Sequence, residues 1–249
     1  MRSFEELVDE AAAADVTGWG FDWLDGRATE ERPPWGYARL LAERLATARS
    51  ALDIDTGGGE VLSEVPSLPD RMCVTEGYAP NAVRALSLLG PRGVEVHAPG
   101  EDGSLPFPAS SFDLVTSRHP VKPQWDEIRR VLKPGGRYFA QHVGPESAFE
   151  LIEVFLGPLP EHRQGRSPHL EAAAAERAGL TVTDVRTARC RMDFFDIGAV
   201  VWILRKCVWW VPDFDVDRYH AQLAELHARI TRDGAFVAHS SRHLIEAMH

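Results

Sequence analysis

Cysteine is scarce. The three in 249 residues, Cys73, Cys190 and Cys207, stand far apart without C-x-x-C spacing. A disulfide framework and a zinc ribbon are therefore excluded as organising elements, reduced core thiols are expected, and no metal ligand set is read. No apolar run approaches the roughly 18 residues that would span a bilayer. The opening Met1-Arg2-Ser3-Phe4-Glu5-Glu6 has acids where a secretion signal needs an apolar stretch, so a cytoplasmic chain is expected. Positive charge is also in deficit: 27 Lys+Arg stand against 37 Asp+Glu, for a net charge of −10, and no Lys/Arg run forms a patch for a phosphodiester backbone. Internal repeats and low-complexity tracts are lacking too. What is present, 44% hydrophobic and 26% charged residues, is enough for one large α/β domain or two small ones and rules out a mainly disordered chain.

An amphipathic helix is expected over 3–14, then a polar segment ending at Arg32-Pro33-Pro34-Trp35, then a second helix over 37–48. From Ala51 onward short β-type runs alternate with amphipathic helices, the signature of crossover units and a parallel sheet. Strands are expected over 51–55, 71–76, 93–97, 112–116 and 136–143. Helices are expected over 58–65, 80–89, 124–132 and 146–156, and Lys133-Pro134-Gly135-Gly136 reads as a turn between helix and strand. After Pro158 come a helix over 170–178, a strand-like run over 180–194, helices over 196–211 and 216–231, and a last strand over 236–247. Two late strands separated by a helical insertion point to an antiparallel pair at one sheet edge with a small cap. The organisation expected is an N-terminal helical or lid segment over 1–49, a cofactor-binding core over 50–158, and the rest of the same domain over 159–249.

Asp53-Ile54-Asp55-Thr56-Gly57-Gly58-Gly59-Glu60 sits at a strand-to-helix turn, where glycines let backbone approach a ligand and the first helical amides lie free. The dinucleotide pattern G-x-G-x-x-G fails, since Leu62 holds its third glycine position, and Glu60 would face a pyrophosphate; a Walker loop is absent. Acids around such a loop suit a cofactor that carries positive charge, with backbone amides taking its carboxylate. Glu76 closes the next strand, where an acid can accept from both hydroxyls of a ribose.

With these residues in place, the sequence resembles the class I S-adenosylmethionine-dependent methyltransferases, in particular the type 11 group. The likeness covers roughly 52–142 in four ordered motifs: Leu52-Asp53-Ile54-Asp55-Thr56-Gly57-Gly58-Gly59; Val74-Thr75-Glu76-Gly77; Leu105-Pro106-Phe107-Pro108-Ala109-Ser110-Ser111-Phe112-Asp113-Leu114-Val115; and Glu127-Ile128-Arg129-Arg130-Val131-Leu132-Lys133-Pro134-Gly135-Gly136. The resemblance implies a Rossmann-like three-layer α/β sandwich, with a seven-stranded, mostly parallel sheet whose last strand is antiparallel, plus helical cap elements. It implies that Asp53 and the glycines hold the methionine portion, Glu76 the ribose, and Glu101 or Asp102 the adenine amino group. Asp55 stands where similar proteins usually have glycine, so the turn must accept a side chain there, which aspartate does better than most residues if the position needs left-handed φ; it either faces the cofactor's ammonium group or caps the following helix. Gly77, Arg118, Trp35 and Arg27 are further candidates for cofactor contact.

Methyl transfer from a sulfonium is an in-line displacement that needs a base only if the acceptor must lose a proton. Candidates are His119 after the fourth strand, and His142 and Glu146 flanking the end of the fifth. The competing reading of each histidine is a half-buried loop residue bonded to backbone. Early aromatics (Trp19, Phe21, Trp23, Trp35, Tyr37) flank the polar segment 26–32 as a lid would, with Arg27 or Arg32 in reach of the cofactor's carboxylate. The late ones (Phe194, Phe195, Trp202, Trp209, Trp210) read mainly as core. The function expected is methylation of a small molecule by a monomer or homodimer. The alternatives are a nucleic-acid or ribosomal-RNA base methyltransferase and a cofactor-binding regulator without turnover, with a nicotinamide enzyme behind both.

Overall fold

The computed structural model describes every residue except Met1, Trp19 and Gln164; the early aromatic Trp19 thus lies outside the described residues. In chain order the elements are α1 (Phe4–Ala13), β1 (Ala28–Glu30), α2 (Tyr37–Leu45), β2 (Ser50–Ile54), α3 (Glu60–Ser63), β3 (Arg71–Thr75), α4 (Ala79–Leu89) and β4 (Glu95–His97). They continue with β5 (Phe112–Arg118), α5 (Trp125–Val131), β6 (Leu132–Val143), α6 (Phe149–Leu156), α7 (Pro168–Arg177), β7 (Thr181–Phe194), α8 (Ile197–Lys206), α9 (His220–Asp233) and β8 (Phe236–Met248). Local chemistry explains several boundaries. Ser3 and Glu6 form a reciprocal capping box that starts α1, and the Asp196 carboxylate accepts from Ala199 N to start α8. Among the described residues no helix is long and apolar enough to cross a membrane.

The sheet has the order β1-β7-β8-β6-β5-β2-β3-β4. Pairs β2–β3, β2–β5, β3–β4 and β5–β6 are parallel, and the final strand β8 runs antiparallel to β6, with Arg137 opposite Met248 and Val143 opposite Arg242. The sheet therefore has eight strands rather than seven. The extra one, β1, pairs antiparallel with β7 inside the segment read as a polar lid. Its residues Ala-Thr-Glu are half-buried or exposed, so no apolar alternation marks them; β1 owes its place to edge pairing, which continues in the bond from Glu31 N to Arg191 O at 2.8 Å.

The Lys133-Pro134-Gly135-Gly136 turn also differs from expectation. Ladder pairing begins at once after α5, with Phe112 opposite Leu132, then jumps to Leu114 opposite Arg137, so the four residues bulge out within β6. A Cβ at Gly136 would lie 2.9 Å from Lys133 O and 3.1 Å from Phe112 O, and glycine is needed for that approach.

The chain divides into two units built from interleaved segments: 33–144, 166–188 and 242–249 make one, and 1–32, 145–165 and 189–241 make the other. In the first, period-two alternation along the strands feeds two cores. Val115, Tyr138, Ala140 and Ile245 pack with Ile128 of α5 and Ala175 of α7, while Leu114, Phe139 and Leu244 pack with Leu41 and Leu45 of α2 and Leu89 of α4. Two helical layers on one sheet give the expected three-layer sandwich. In the second unit α1, α6, α8 and α9 enclose Leu7, Leu151, Val200, Trp202 and Leu226. Phe194 and Trp202 are core residues as read, whereas Phe195 and Trp209 are exposed.

Candidate active site

Because β2, β3 and β5 are parallel, their C-terminal ends open on one edge of the first unit. Register places Asp53 beside Thr116, whose hydroxyl donates to Asp53 Oδ1 at 2.6 Å. The carboxyl is buried, and burial pushes it up to about 6, against the opposing hydrogen bonds of Thr116 and Thr56.

Asp55 follows with φ of +56°, a left-handed conformation that aspartate accepts better than most residues. It does not cap α3, whose N-cap is Gly59 with no side-chain bond; burial raises its carboxyl above the usual carboxylate range, against a smaller opposing effect of the Val121 backbone. Glu76, at the tip of β3, accepts from Gly57 N at 2.8 Å with Oε2 and from Tyr78 N at 2.7 Å with Oε1. It too is raised by burial.

The glycine loop is more self-contained than its sequence implies. Thr56 N donates to Thr75 O at 3.0 Å, Gly57 N to Glu76, and Gly59 N to Thr56 O at 3.3 Å, so these amides already have partners. The expected helix over 58–65 shrinks to the single turn of α3. Gly59, at φ +83°, is glycine because a Cβ there would come within 2.7 Å of Leu89 Cδ1 in α4; helix packing demands it, not ligand approach.

A cavity of about 240 Å³ opens at this edge, lined by Asp55, Thr75, Leu105, Ser117 and Tyr138 and by residues 120–124. The Thr75 hydroxyl is buried without a hydrogen-bond partner. Pro99 and Gly103 extend the wall toward Glu101 and Asp102. Glu101 is exposed, and Asp102 Oδ1 accepts from Ser104 N at 3.0 Å; the Ser104 side chain first, and then its backbone N–H, hold the Asp102 carboxyl low. Gly77 follows Glu76 directly, and Arg118 ends β5 with an exposed side chain.

The remaining candidates are distributed unevenly. His119, at φ +60°, donates its N–H to Gln141 O at 2.7 Å. Trp35 Nε1 donates to Gln141 Oε1 at 2.8 Å, which turns the Gln141 amide nitrogen toward His119 Nε2 at 3.0 Å. That nitrogen can then only accept, so the ring proton sits on Nδ1. Burial keeps the ring well below the usual histidine range, hence neutral, with its basic nitrogen already occupied. Trp35 is thus a buried support for His119. His142 is buried as well; its Nε2 lies 3.0 Å from the Tyr138 hydroxyl, so it stands behind a cavity-lining residue, and its Nδ1 contacts Glu171. Glu146 and Arg27 are candidates that lie outside the first unit. Both belong to the other unit, where exposed Glu146 pairs with Arg163 at 2.7 Å, and Arg27 pairs with Glu10 at 2.8 Å and lies 4.1 Å from the Trp23 ring centroid.

Sequence reasoning missed Thr116, Tyr138 and Gln141. Tyr138 and His142 share a strand face, a signal that period-two reading of β6 could have used; Thr116 and Gln141 are found only through strand register.

Residues 52–140 match the family model described as a methyltransferase domain. Over that stretch the chain carries a methyltransferase domain. Among solved structures, the chain resembles a candidate methyltransferase from Bacillus halodurans (TM-score 0.61, 16% identity, 85% of this chain and 97% of that one). It also resembles the YcgJ protein of Bacillus subtilis (0.61, 20%, 85% and 97%). A third is phosphoethanolamine N-methyltransferase 2 of Haemonchus contortus, in complex with S-adenosylhomocysteine and phosphomonomethylethanolamine (0.53, 16%, 100% and 60%). At these identities the likeness shows the shared fold. No curated protein matches the chain.

Proposed function

We propose that the methyltransferase moves the methyl group of S-adenosylmethionine to a small-molecule acceptor, with the cofactor held at the edge formed by β2, β3 and β5. The observation that carries this reading is the set of three carboxyl groups, Asp53, Asp55 and Glu76, around one glycine loop beside a cavity. Burial raises all three. A cationic ligand there relieves the cost of keeping buried carboxylates ionised, which fits a sulfonium and an ammonium and disfavours a polyphosphate.

When bound, the cofactor supplies an electrophilic methyl on a good leaving group. The chain's own residues bind and orient: Asp53 and Asp55 face the positive groups, and Glu76 keeps lone pairs for ribose hydroxyls while it anchors Gly57. Pro99 and Leu105 supply apolar wall for the adenine. His119, neutral and braced by Gln141, is a positioning group on this reading rather than a strong base. Net charge −10 argues for a small acceptor over a nucleic acid.

Calorimetric titration with S-adenosylmethionine and S-adenosylhomocysteine, followed by incubation with a broad acceptor panel and detection of S-adenosylhomocysteine, tests the proposal. Binding of both and turnover with at least one small acceptor are expected. Absence of heat with either ligand overturns the cofactor assignment; binding without turnover across the panel favours a regulator.

A further inference from the structure

We propose that His142, Glu171 and His243 form a binding site for a divalent transition-metal ion of the zinc class. The antiparallel register of β6 and β8 sets His142 directly opposite His243, on the sheet face covered by α5 and α7, and both imidazoles are buried. Glu171 reaches them from α7.

Both rings converge on a single oxygen. His142 Nδ1 contacts Glu171 Oε2, His243 Nε2 lies 2.8 Å from the same atom, and the three ligand atoms lie within 4.8 Å of one another. Two imidazole nitrogens and one carboxylate oxygen form a donor set that suits zinc, with a fourth position left for water. Tyr138 contacts the far nitrogen of His142 at 3.0 Å, the kind of outer partner that fixes ring orientation at a metal.

Backbone pairing holds both rings in place, so metal entry asks only for withdrawal of the half-buried Glu171 side chain by a fraction of an ångström to about one ångström, to reach metal–ligand lengths of about 2.0–2.2 Å. A second grouping, Cys73, Glu95 and His97, is more open, since Glu95 is exposed, and it serves as an internal control.

The test uses the untagged full chain, stripped with chelator and then dialysed against Zn²⁺, with metal content read by elemental analysis and affinity by calorimetry. Substitution with Co²⁺ adds a spectroscopic signature of tetrahedral coordination. One equivalent of zinc is expected, with affinity reduced at least about tenfold by Glu171→Gln and by His243→Gln, and unchanged by His97→Ala. Glu171→Gln conserves shape on a half-buried helix face, so circular dichroism separates loss of metal from loss of fold. Failure of the folded parent to take up zinc overturns the proposal, as does stoichiometric uptake that persists in both Glu171→Gln and His243→Gln or disappears in His97→Ala.

Discussion

Lowering the pH from about 7.5 to about 5 should weaken S-adenosylhomocysteine binding about tenfold, because Asp53 must be ionised to face the ligand's ammonium group. Its carboxyl titrates at about 6 in the folded protein. One unit below that value only about a tenth of the molecules carry the charge, and apparent affinity falls by that fraction, about 1.4 kcal/mol. The same burial acts on stability with the opposite sign. The folded value lies above the ordinary 3.8, so the folded state binds more protons between the two values. Stability of the ligand-free protein therefore declines as pH rises from about 4 to about 6, and the full penalty, on the order of 3 kcal/mol, persists at neutral pH. Asp53→Asn removes that penalty while its amide oxygen can still accept from Thr116. The variant should melt higher than the parent at neutral pH, bind S-adenosylhomocysteine at least about tenfold more weakly, and show flat binding between about pH 5 and 7.5. Calorimetry at several pH values and thermal denaturation of the free protein measure both halves. Undiminished binding by Asp53→Asn, or a parent affinity that is independent of pH, would refute the reasoning.

Glu76→Ala removes the acceptor for two backbone amides, Gly57 N and Tyr78 N. It should lower stability by about 1–3 kcal/mol and weaken S-adenosylhomocysteine binding at least about tenfold, with Glu76→Gln in between; a denaturant midpoint and a binding isotherm check this, and full-strength binding by the alanine variant removes the ribose role. Gly59→Ala combines left-handed φ with a Cβ 2.7 Å from Leu89 Cδ1. Urea unfolding should show a loss of about 2–4 kcal/mol, and a change under about 0.5 kcal/mol would mean that α4 does not press on the loop.

The amino-acid sequence by itself determined the order of helices and strands, the glycine-rich turn after β2 and the acid at the tip of β3. Amphipathic period, turn chemistry and the left-handed tolerance of Asp55 act between residues a few positions apart, so they are legible without the fold. Only tertiary structure decided what those residues do to one another. Thr116 meets Asp53 because β5 lies beside β2 in a particular register. Glu76, read as a free ribose acceptor, turned out to secure the glycine loop as well. Residues 28–30 became a strand because the edge of β7 offered unpaired backbone, a fact with no trace in their own polarity. His142, read as a candidate base at the end of the fifth strand, is buried with Glu171 and His243, which no spacing rule links. The division into units built from interleaved segments was likewise invisible, since which segments share a core depends on burial summed over distant parts of the chain. Local propensity reaches a few residues along the backbone, whereas pairing register, burial and the shifts of charge that follow from it belong to contacts that exist only once the chain has folded.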